Sequence, residues 1–234
     1  MSTYKGYLIQ EDGDSYIGSI KSIDIPIVQD QHVLINVEFS SLNYKDALSA
    51  SGPKYGVTRD YPFVPGIDAA GRILESKSPN FNIGDEVIVT GYSMGMSVFG
   101  GFGEIVHVPA NWVVKLPKNM SLKESMNYGT AGLTAGASVR KIIDNGVDEK
   151  KPILVSGATG GVGSVAVNIL SKLGYEVHAL TGKNNEDLFL KTIGADSVVN
   201  RDDFMQDPVR PLDKALYGGA VDTVGGDILA KIIS

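Results

Sequence analysis

The residues with the clearest chemistry form a glycine-rich loop between an apolar run and a helical pattern. Ser156-Gly-Ala-Thr-Gly-Gly-Val-Gly163 follows the strand-like run at 151–156, and apolar residues recur at helical spacing from Gly161 to Leu173. Its core, Ala158-x-Gly160-x-x-Gly163, is the dinucleotide pattern with Ala in place of the first Gly. Gly160 lets a pyrophosphate approach the backbone, and the helix N-terminus offers it N–H groups and a positive dipole end. The predicted phosphate-binding residues are Ala158, Thr159, Gly160, Gly161, Val162 and Gly163.

The end of the next strand pattern decides which dinucleotide is expected. An NAD site uses an acidic residue there to hold the ribose hydroxyls. Here the run 176–180 is followed by Thr181, Gly182 and Lys183, with no acid among them. A hydroxyl and a cation suit a 2′-phosphate through charge-assisted hydrogen bonds, so we predict NADP(H). Arg201 is a second candidate cation, with a surface ion pair to Asp202 or Asp203 as the alternative.

The elements around this loop predict a parallel, doubly wound sheet. Strand runs at 151–156, 176–180, 196–199 and 219–224 alternate with helical patterns at 161–173 and 185–193. A complete dinucleotide-binding fold has about six strands. We therefore expect an incomplete Rossmann domain whose last strands are missing, in a chain that is a fragment of a longer protein.

The first half of the chain has a different character. Short alternating runs at 32–39, 71–75, 85–90 and 104–108 are separated by Pro and Gly, which favours an antiparallel, barrel-like β domain. Ser121, followed three residues later by Glu124, is typical of a helix start. The predicted domains are residues 1–122 and 123–234, in a chain of the α/β class.

Composition excludes several classes of function. The chain has 21 basic and 27 acidic residues, a formal net charge of −6, which disfavours nucleic-acid binding. No apolar run is long enough for a membrane span, and the N-terminus lacks a signal-peptide pattern. Cysteine is absent, and the three histidines, His32, His107 and His178, are far apart in the sequence. We therefore predict no metal site and a reducing, cytoplasmic location.

Five segments resemble one known superfamily. They are Ser40-Ser-Leu-Asn-Tyr-Lys-Asp-Ala-Leu48, Tyr61-Pro-Phe-Val-Pro-Gly-Ile-Asp-Ala-Ala-Gly71, Tyr128-Gly-Thr-Ala-Gly-Leu-Thr-Ala135, the loop Gly157–Gly163 and Asp222-Thr-Val-Gly-Gly226. Over the whole chain, the sequence resembles medium-chain dehydrogenases/reductases of the YhdH/YhfP type, a group of quinone oxidoreductases that includes NADPH-dependent acryloyl-CoA reductases. The resemblance implies a GroES-like β-barrel followed by a Rossmann domain, in a chain that would continue further, and homodimers formed through the edge of the cofactor sheet.

The same resemblance implies chemistry without zinc. Zinc alcohol dehydrogenases carry Cys in the first of these segments and His-Glu in the second. This chain has Asn43 and Tyr44 in the first and Ile67 and Asp68 in the second, and it has no cysteine elsewhere. The zinc-free branch acts on substrates that are already electrophilic, such as activated carbon–carbon double bonds and quinones.

The resemblance also supplies candidate residues and a reaction. The reaction is hydride transfer from NADPH to the β-carbon of an enoyl thioester, preferably acryloyl-CoA, followed by protonation of the α-carbon. An NADPH-quinone oxidoreductase and a non-catalytic dinucleotide-binding fragment or sensor remain open as alternatives. The catalytic candidates are Asn43, Tyr44, Asp46 and Asp68, and the candidates for the nicotinamide end are Tyr44, Thr130 and Thr134.

Some of these residues also have a purely structural explanation. Asp46 could be an acid at a helix N-terminus, and Asp68 could cap backbone N–H groups. The hydroxyls of Thr130 and Thr134 could bond backward to the helix backbone.

Overall fold

The chain divides into two compact units. A computed structural model describes residues 2–206 and 215–234. The units are Met1–Thr130 and Ala131–Ser234. The division falls inside a long helix, Leu122–Asp144, whose backbone leaves helical geometry at Gly129 (φ 47°, ψ −146°). The boundary predicted from the sequence lies at the start of this helix.

The first unit is built from antiparallel strands. Its elements are β1 (Thr3–Asp12), β2 (Ser15–Asp24), β3 (His32–Phe39), α1 (Tyr44–Ala50), β4 (Asp68–Ser76), β5 (Glu86–Thr90), β6 (Ile105–Pro109) and β7 (Val113–Lys115), with 3-10 turns at Pro53–Tyr55 and Ala110–Trp112. A five-stranded sheet has the order β6-β3-β4-β5-β7, and a separate hairpin pairs β1 with β2. Alternate residues of β3 and β4, such as Ile35 and Ile73, are buried in one core. The predicted β domain is therefore confirmed.

Two glycine-rich segments of the first unit cross at close range. Gly100 N–H donates to the carbonyl of Val64 at 2.7 Å, and Gly101 N–H donates to that of Gly66 at 2.8 Å. Gly66 has φ 106°, and a Cβ on it would lie 2.8 Å from the backbone nitrogen of Gly101. Glycine is required here because two backbones meet without room for side chains. The crossing fixes the turn that leads into β4.

An aromatic pair covers one corner of the first unit. Tyr92 has φ 56° and an exposed ring. That ring stacks on Trp112, with ring centroids 5.0 Å apart and planes only 2° from parallel. Stacking compensates for leaving a large ring at the surface.

The second unit contains a parallel sheet with helices between its strands. The elements from residue 122 onward are α2 (Leu122–Asp144), β8 (Ile153–Ser156), α3 (Gly161–Lys172), β9 (Val177–Thr181), α4 (Asp187–Thr192), β10 (Ser197–Asn200), α5 (Arg201–Phe204), β11 (Gly219–Val221) and α6 (Gly226–Ile233). The sheet has the order β10-β9-β8-β11, so the chain runs outward from β8 to β10 and then returns to the other side of β8, as in the Rossmann fold. The predicted doubly wound sheet is confirmed for the described residues. Its core includes Val155, Leu170, Val177 and Leu190.

Helix α2 begins with the predicted reciprocal cap. Ser121 N–H donates to Glu124 Oε2 at 2.8 Å, and Glu124 N–H donates to Ser121 Oγ at 3.2 Å. Two backbone donors at the start of the helix are satisfied in this way. Across the described parts of the chain, none of the helices has the length and apolarity that a membrane crossing requires.

Candidate functional site

Asp68 is the centre of a buried hydrogen-bond network in the first unit. It begins β4 and is 0% exposed. Ser41 Oγ and Asn43 Nδ2 donate to its Oδ2 at 2.6 and 2.8 Å. Thr130 donates its N–H to Oδ2 at 2.9 Å and its hydroxyl to Oδ1 at 2.8 Å. Four donors thus compensate for burying the carboxylate.

Gly129 makes the contact between Asp68 and Thr130 sterically feasible. A Cβ on Gly129 would lie 2.5 Å from Asp68 Oδ2 and 2.6 Å from Ser41 Oγ. The positive φ of Gly129 turns the following N–H of Thr130 towards the carboxylate. Neither Gly129 nor Ser41 is predicted from the sequence, because Gly129 lies in an ordinary glycine-rich helical pattern and Ser41 in an ordinary polar run.

Asp46 holds two backbone segments together. It lies in the first turn of α1 and is 3% exposed. Its Oδ2 accepts the N–H of Asn43 at 2.8 Å, and its Oδ1 accepts the N–H groups of Gly66 and Ile67 at 3.2 and 3.0 Å. Burial raises the pKa of Asp46, the hydrogen bonds from Asn43 and Ile67 lower it, and the nearby Asp68 carboxylate raises it further. Asp46 therefore ties the start of α1 to the turn before β4.

The other candidates for the nicotinamide end and for catalysis are exposed. Tyr44 is the first residue of α1, and its side chain is 81% exposed. Thr134 is exposed on α2 in the second unit, and its carbonyl accepts the Ser138 hydroxyl at 2.8 Å. The structure thus brings Asn43, Asp68 and Thr130 together and leaves the Tyr44 ring on the surface of the first unit.

The glycine-rich loop of the second unit has the geometry of an anion cradle. Gly157 adopts φ 58°, and its carbonyl accepts the N–H of Gly160 at 2.9 Å. A Cβ on Gly163 would overlap the backbone of Gly157 and Ala158. Helix α3 begins at Gly161 without a side-chain cap. The N–H groups of its first turn are therefore available to an outside acceptor.

Two cations stand at the carboxyl ends of neighbouring strands. Lys183 is exposed just after β9, and its N–H donates to Thr181 Oγ1 at 3.1 Å. The guanidinium of Arg201 lies against Gly182, where an added Cβ would be 2.8 Å from Nη1. Arg201 also forms the ion pair with Asp202 that the sequence left as an alternative, at 3.0 Å. No acidic residue lies at 181–183.

Comparison with known proteins gives the family of this chain. A family model for the alcohol dehydrogenase GroES-like domain matches residues 29–118. YhfP of Bacillus subtilis is 44% identical over 236 residues, which cover all of this chain and 71% of YhfP. The chain belongs to the medium-chain dehydrogenase/reductase superfamily. Acrylyl-CoA reductase AcuI of Ruegeria pomeroyi, another member, is 39% identical over 95% of this chain and 68% of its own length.

Solved structures of this superfamily have the same fold. The crystal structure of YhfP with NAD bound has a TM-score of 0.94 at 42% identity, over 99% of this chain and 70% of that chain. Escherichia coli YhdH with bound NADPH has a TM-score of 0.90 at 39% identity, over 97% and 70%. The chain therefore spans about 70% of the length of these superfamily members, and its first unit is a GroES-like domain and its second an incomplete Rossmann domain.

No group of three metal-ligating side chains comes together within residues 2–206 and 215–234. The sequence also lacks cysteine throughout its 234 residues.

Proposed function

We propose that this superfamily member is an NADPH-dependent oxidoreductase that reduces an activated carbon–carbon double bond, with acryloyl-CoA as the preferred substrate and propanoyl-CoA as product. The observation that carries the proposal is the uncapped start of α3 directly after β8, at the carboxyl edge of a Rossmann-type sheet. The substrate follows AcuI, whose name states acrylyl-CoA reductase activity. NADP(H) follows YhdH, which was crystallised with NADPH.

The described residues fit this cofactor at both of its anionic parts. The first-turn N–H groups at Gly161 and Val162 would hold the pyrophosphate, beside Gly160, where no Cβ obstructs the backbone. Lys183, Arg201 and the Thr181 hydroxyl would hold the 2′-phosphate. When bound, the cofactor supplies the hydride that reaches the β-carbon of the substrate.

Side chains of the first unit would orient the substrate's carbonyl and protonate its α-carbon. Asn43 has one amide N–H fixed by Asp68, so its remaining polar atoms have a set direction for orienting or polarising the thioester carbonyl. The Tyr44 phenol is exposed and can donate the proton that the α-carbon requires. Asp46 and Asp68 act as positioning residues, because donors from the chain already occupy their carboxylates.

The reaction proceeds without zinc in this proposal. A chain without cysteine has no thiolate ligand, and the positions of zinc-dependent relatives carry Asn43, Tyr44, Ile67 and Asp68 here. The absence of disulfides also agrees with a cytoplasmic enzyme. We also propose that the protein forms a homodimer, as the resemblance implies.

The test is acryloyl-CoA-dependent oxidation of NADPH by the chain, with NADH, a benzoquinone and EDTA in parallel reactions. Turnover with NADPH and acryloyl-CoA that survives EDTA supports the proposal. Turnover with the quinone alone would identify a quinone oxidoreductase, which the names of several relatives favour. NADPH binding without turnover of either substrate would overturn catalysis and leave a dinucleotide-binding protein.

A matched pair of variants tests the proton donor. Tyr44→Phe removes only the phenol and is expected to lower kcat at least about a hundredfold, the usual worth of a general acid. Tyr55→Phe changes another exposed tyrosine of the first unit and should leave kcat unchanged. Equal kcat values for the two variants would show that the proton comes from another group or from water.

A further inference from the structure

A second loop stands beside the phosphate loop at the same edge of the sheet. Strand β11 runs parallel to β8, with Val221 opposite Val155. The residues after β11 form a turn around the Asp222 carboxylate, which accepts the N–H of Val224 at 3.3 Å and that of Gly225 at 2.9 Å. Asp222 therefore determines the shape of this turn.

Ser156 ties the two loops together. It is the last residue of β8 and is 0% exposed. Its hydroxyl donates to Asp222 Oδ1 and accepts the N–H of Thr223 at 2.9 Å. The Thr223 hydroxyl donates to the Ser156 carbonyl at 2.9 Å. We call this set of three side chains, Ser156, Asp222 and Thr223, the 156–222 clasp.

The clasp is in direct contact with the phosphate loop. Gly157, the first residue of that loop, has no side chain, and the Thr223 hydroxyl occupies the space that a Cβ would need. Val224 Cγ2 lies 3.2 Å from the same position. The Gly157 carbonyl in turn receives the N–H of Gly160. A shift of Thr223 would therefore be transmitted to the turn that precedes α3.

We propose that the 156–222 clasp positions the phosphate loop and thereby sets the affinity for the pyrophosphate of the dinucleotide. This inference rests on the NADPH binding proposed above. Thr181 ends β9, and Lys183 and Arg201 follow β9 and β10. The clasp joins β8 to β11, on the opposite side of β8. Loss of the clasp therefore weakens binding of the whole dinucleotide and spares binding of its adenosine 2′-phosphate half.

The test compares binding of NADPH and of adenosine 2′-monophosphate to the whole chain by calorimetry. Ser156→Ala removes two hydrogen bonds of its hydroxyl and Asp222→Ala removes three of its carboxylate. Each is expected to raise the Kd for NADPH about tenfold. The Kd for adenosine 2′-monophosphate should stay within about twofold of the wild type. The double variant should lose less affinity than the two single losses added together, since both single variants remove the hydrogen bond between Ser156 and Asp222.

Three further variants separate positioning from general loosening. Asp222→Asn keeps an acceptor for Gly225 N–H and should recover part of the affinity that Asp222→Ala loses. Thr223→Val replaces the hydroxyl that donates to the Ser156 carbonyl with a methyl group of similar size, and it should still weaken NADPH binding, even if Ser156→Ala does not fold. Ser125→Ala removes a buried serine hydroxyl that donates to a carbonyl at 2.7 Å in the first unit, and it should not affect Kd.

The outcomes distinguish this inference from the function on which it rests. A wild-type chain that binds no NADPH overturns the proposed function and with it the positioning role. Wild-type binding with unchanged Kd in folded Asp222→Ala and Thr223→Val overturns the positioning role alone. Equal weakening of NADPH and adenosine 2′-monophosphate also overturns it, because the clasp would then act on stability of the whole unit.

Discussion

Asn43 Nδ2 donates to Asp68 Oδ2 at 2.8 Å, across 25 positions of sequence. The same oxygen receives the N–H of Thr130, 62 positions further along. One buried carboxylate therefore connects the start of α1, the first residue of β4 and the kink of α2. Removing this carboxylate should therefore loosen the structure at all three places.

Asp68→Asn is expected to lower the free energy of unfolding by about 2–3 kcal/mol. An amide in place of the carboxylate turns an N–H group towards donors such as Thr130, so at least one buried donor loses its acceptor. Urea unfolding measures the loss, and kcat should fall more than KM changes because Asn43 loses its orientation. Asp60→Asn alters an exposed acid of the same unit and serves as the control. Wild-type stability in Asp68→Asn would contradict the importance of the network.

Gly163→Ala and Gly136→Ala should change stability in opposite directions. At Gly163 the new methyl group would overlap the backbone of Gly157 and Ala158, whereas nothing lies within 4 Å of a Cβ on Gly136. We expect Gly163→Ala to cost about 1–3 kcal/mol and to weaken NADPH binding. Gly136→Ala, within α2, should gain about 0.5–1 kcal/mol. Thermal unfolding distinguishes the two, and a stable Gly163→Ala would show that the loop can move aside.

Lys183→Glu should weaken binding of NADPH at least about tenfold more than binding of NADH. The reason is that a charge-assisted hydrogen bond to the 2′-phosphate is replaced by repulsion, while NADH lacks that phosphate. Calorimetric titration with both dinucleotides measures the difference. Lys172→Glu makes the same charge change at the other end of α3 and should affect both dinucleotides equally. An equal loss of both dinucleotides in Lys183→Glu would refute the 2′-phosphate site.

Protonation of Asp46 should stabilise the folded state relative to the unfolded state as pH falls. Burial raises its pKa above 3.8, so the folded state binds the proton more tightly than the unfolded state. Its contribution to stability is therefore complete below pH 3.8 and is lost as pH rises through the raised pKa. The stability of the wild type relative to Asp46→Asn should increase as pH falls from neutral towards 3.8, as measured by urea unfolding.

Glu124 should show the opposite pH dependence of stability in the same urea unfolding experiment. Hydrogen bonds from Ser121 lower the pKa of Glu124 below 4.5. Its contribution is present above pH 4.5 and is lost as pH falls through the lowered pKa. The wild type should therefore lose stability relative to Glu124→Gln in acid. Parallel slopes for the two comparisons would contradict the pKa directions of these carboxylates.

Local patterns in the sequence were sufficient for most of the fold. The run predicted as a strand at 32–39 is β3, His32–Phe39, because Val33, Ile35 and Val37 alternate along it and pack in one core. The predicted helix 161–173 is α3, Gly161–Lys172. Its start was predictable because the consecutive glycines Gly160 and Gly161 mark it in the sequence. The phosphate loop was predictable for the same reason, since all of its parts are neighbours in the chain.

Features that depend on distant residues were not predictable in this way. Strand β2 is mostly exposed on both sides, so no alternation reveals it, and its pairing with β1 is visible only in the register Thr3 to Asp24. The network of Asp68 joins residues that no local pattern connects. The roles of Asn43, Tyr44, Asp46 and Asp68 in catalysis stay predictions until the variants above are measured.

The stacked pair of Tyr92 and Trp112 has a practical consequence for measuring how the molecule unfolds. Trp112 is the single tryptophan of the chain, and it belongs to the first unit. Its fluorescence emission therefore follows that unit alone, while far-ultraviolet circular dichroism follows both. If the units unfold separately, the two signals give transitions that do not coincide. The chain thus carries a built-in optical reporter that separates the units without any added label.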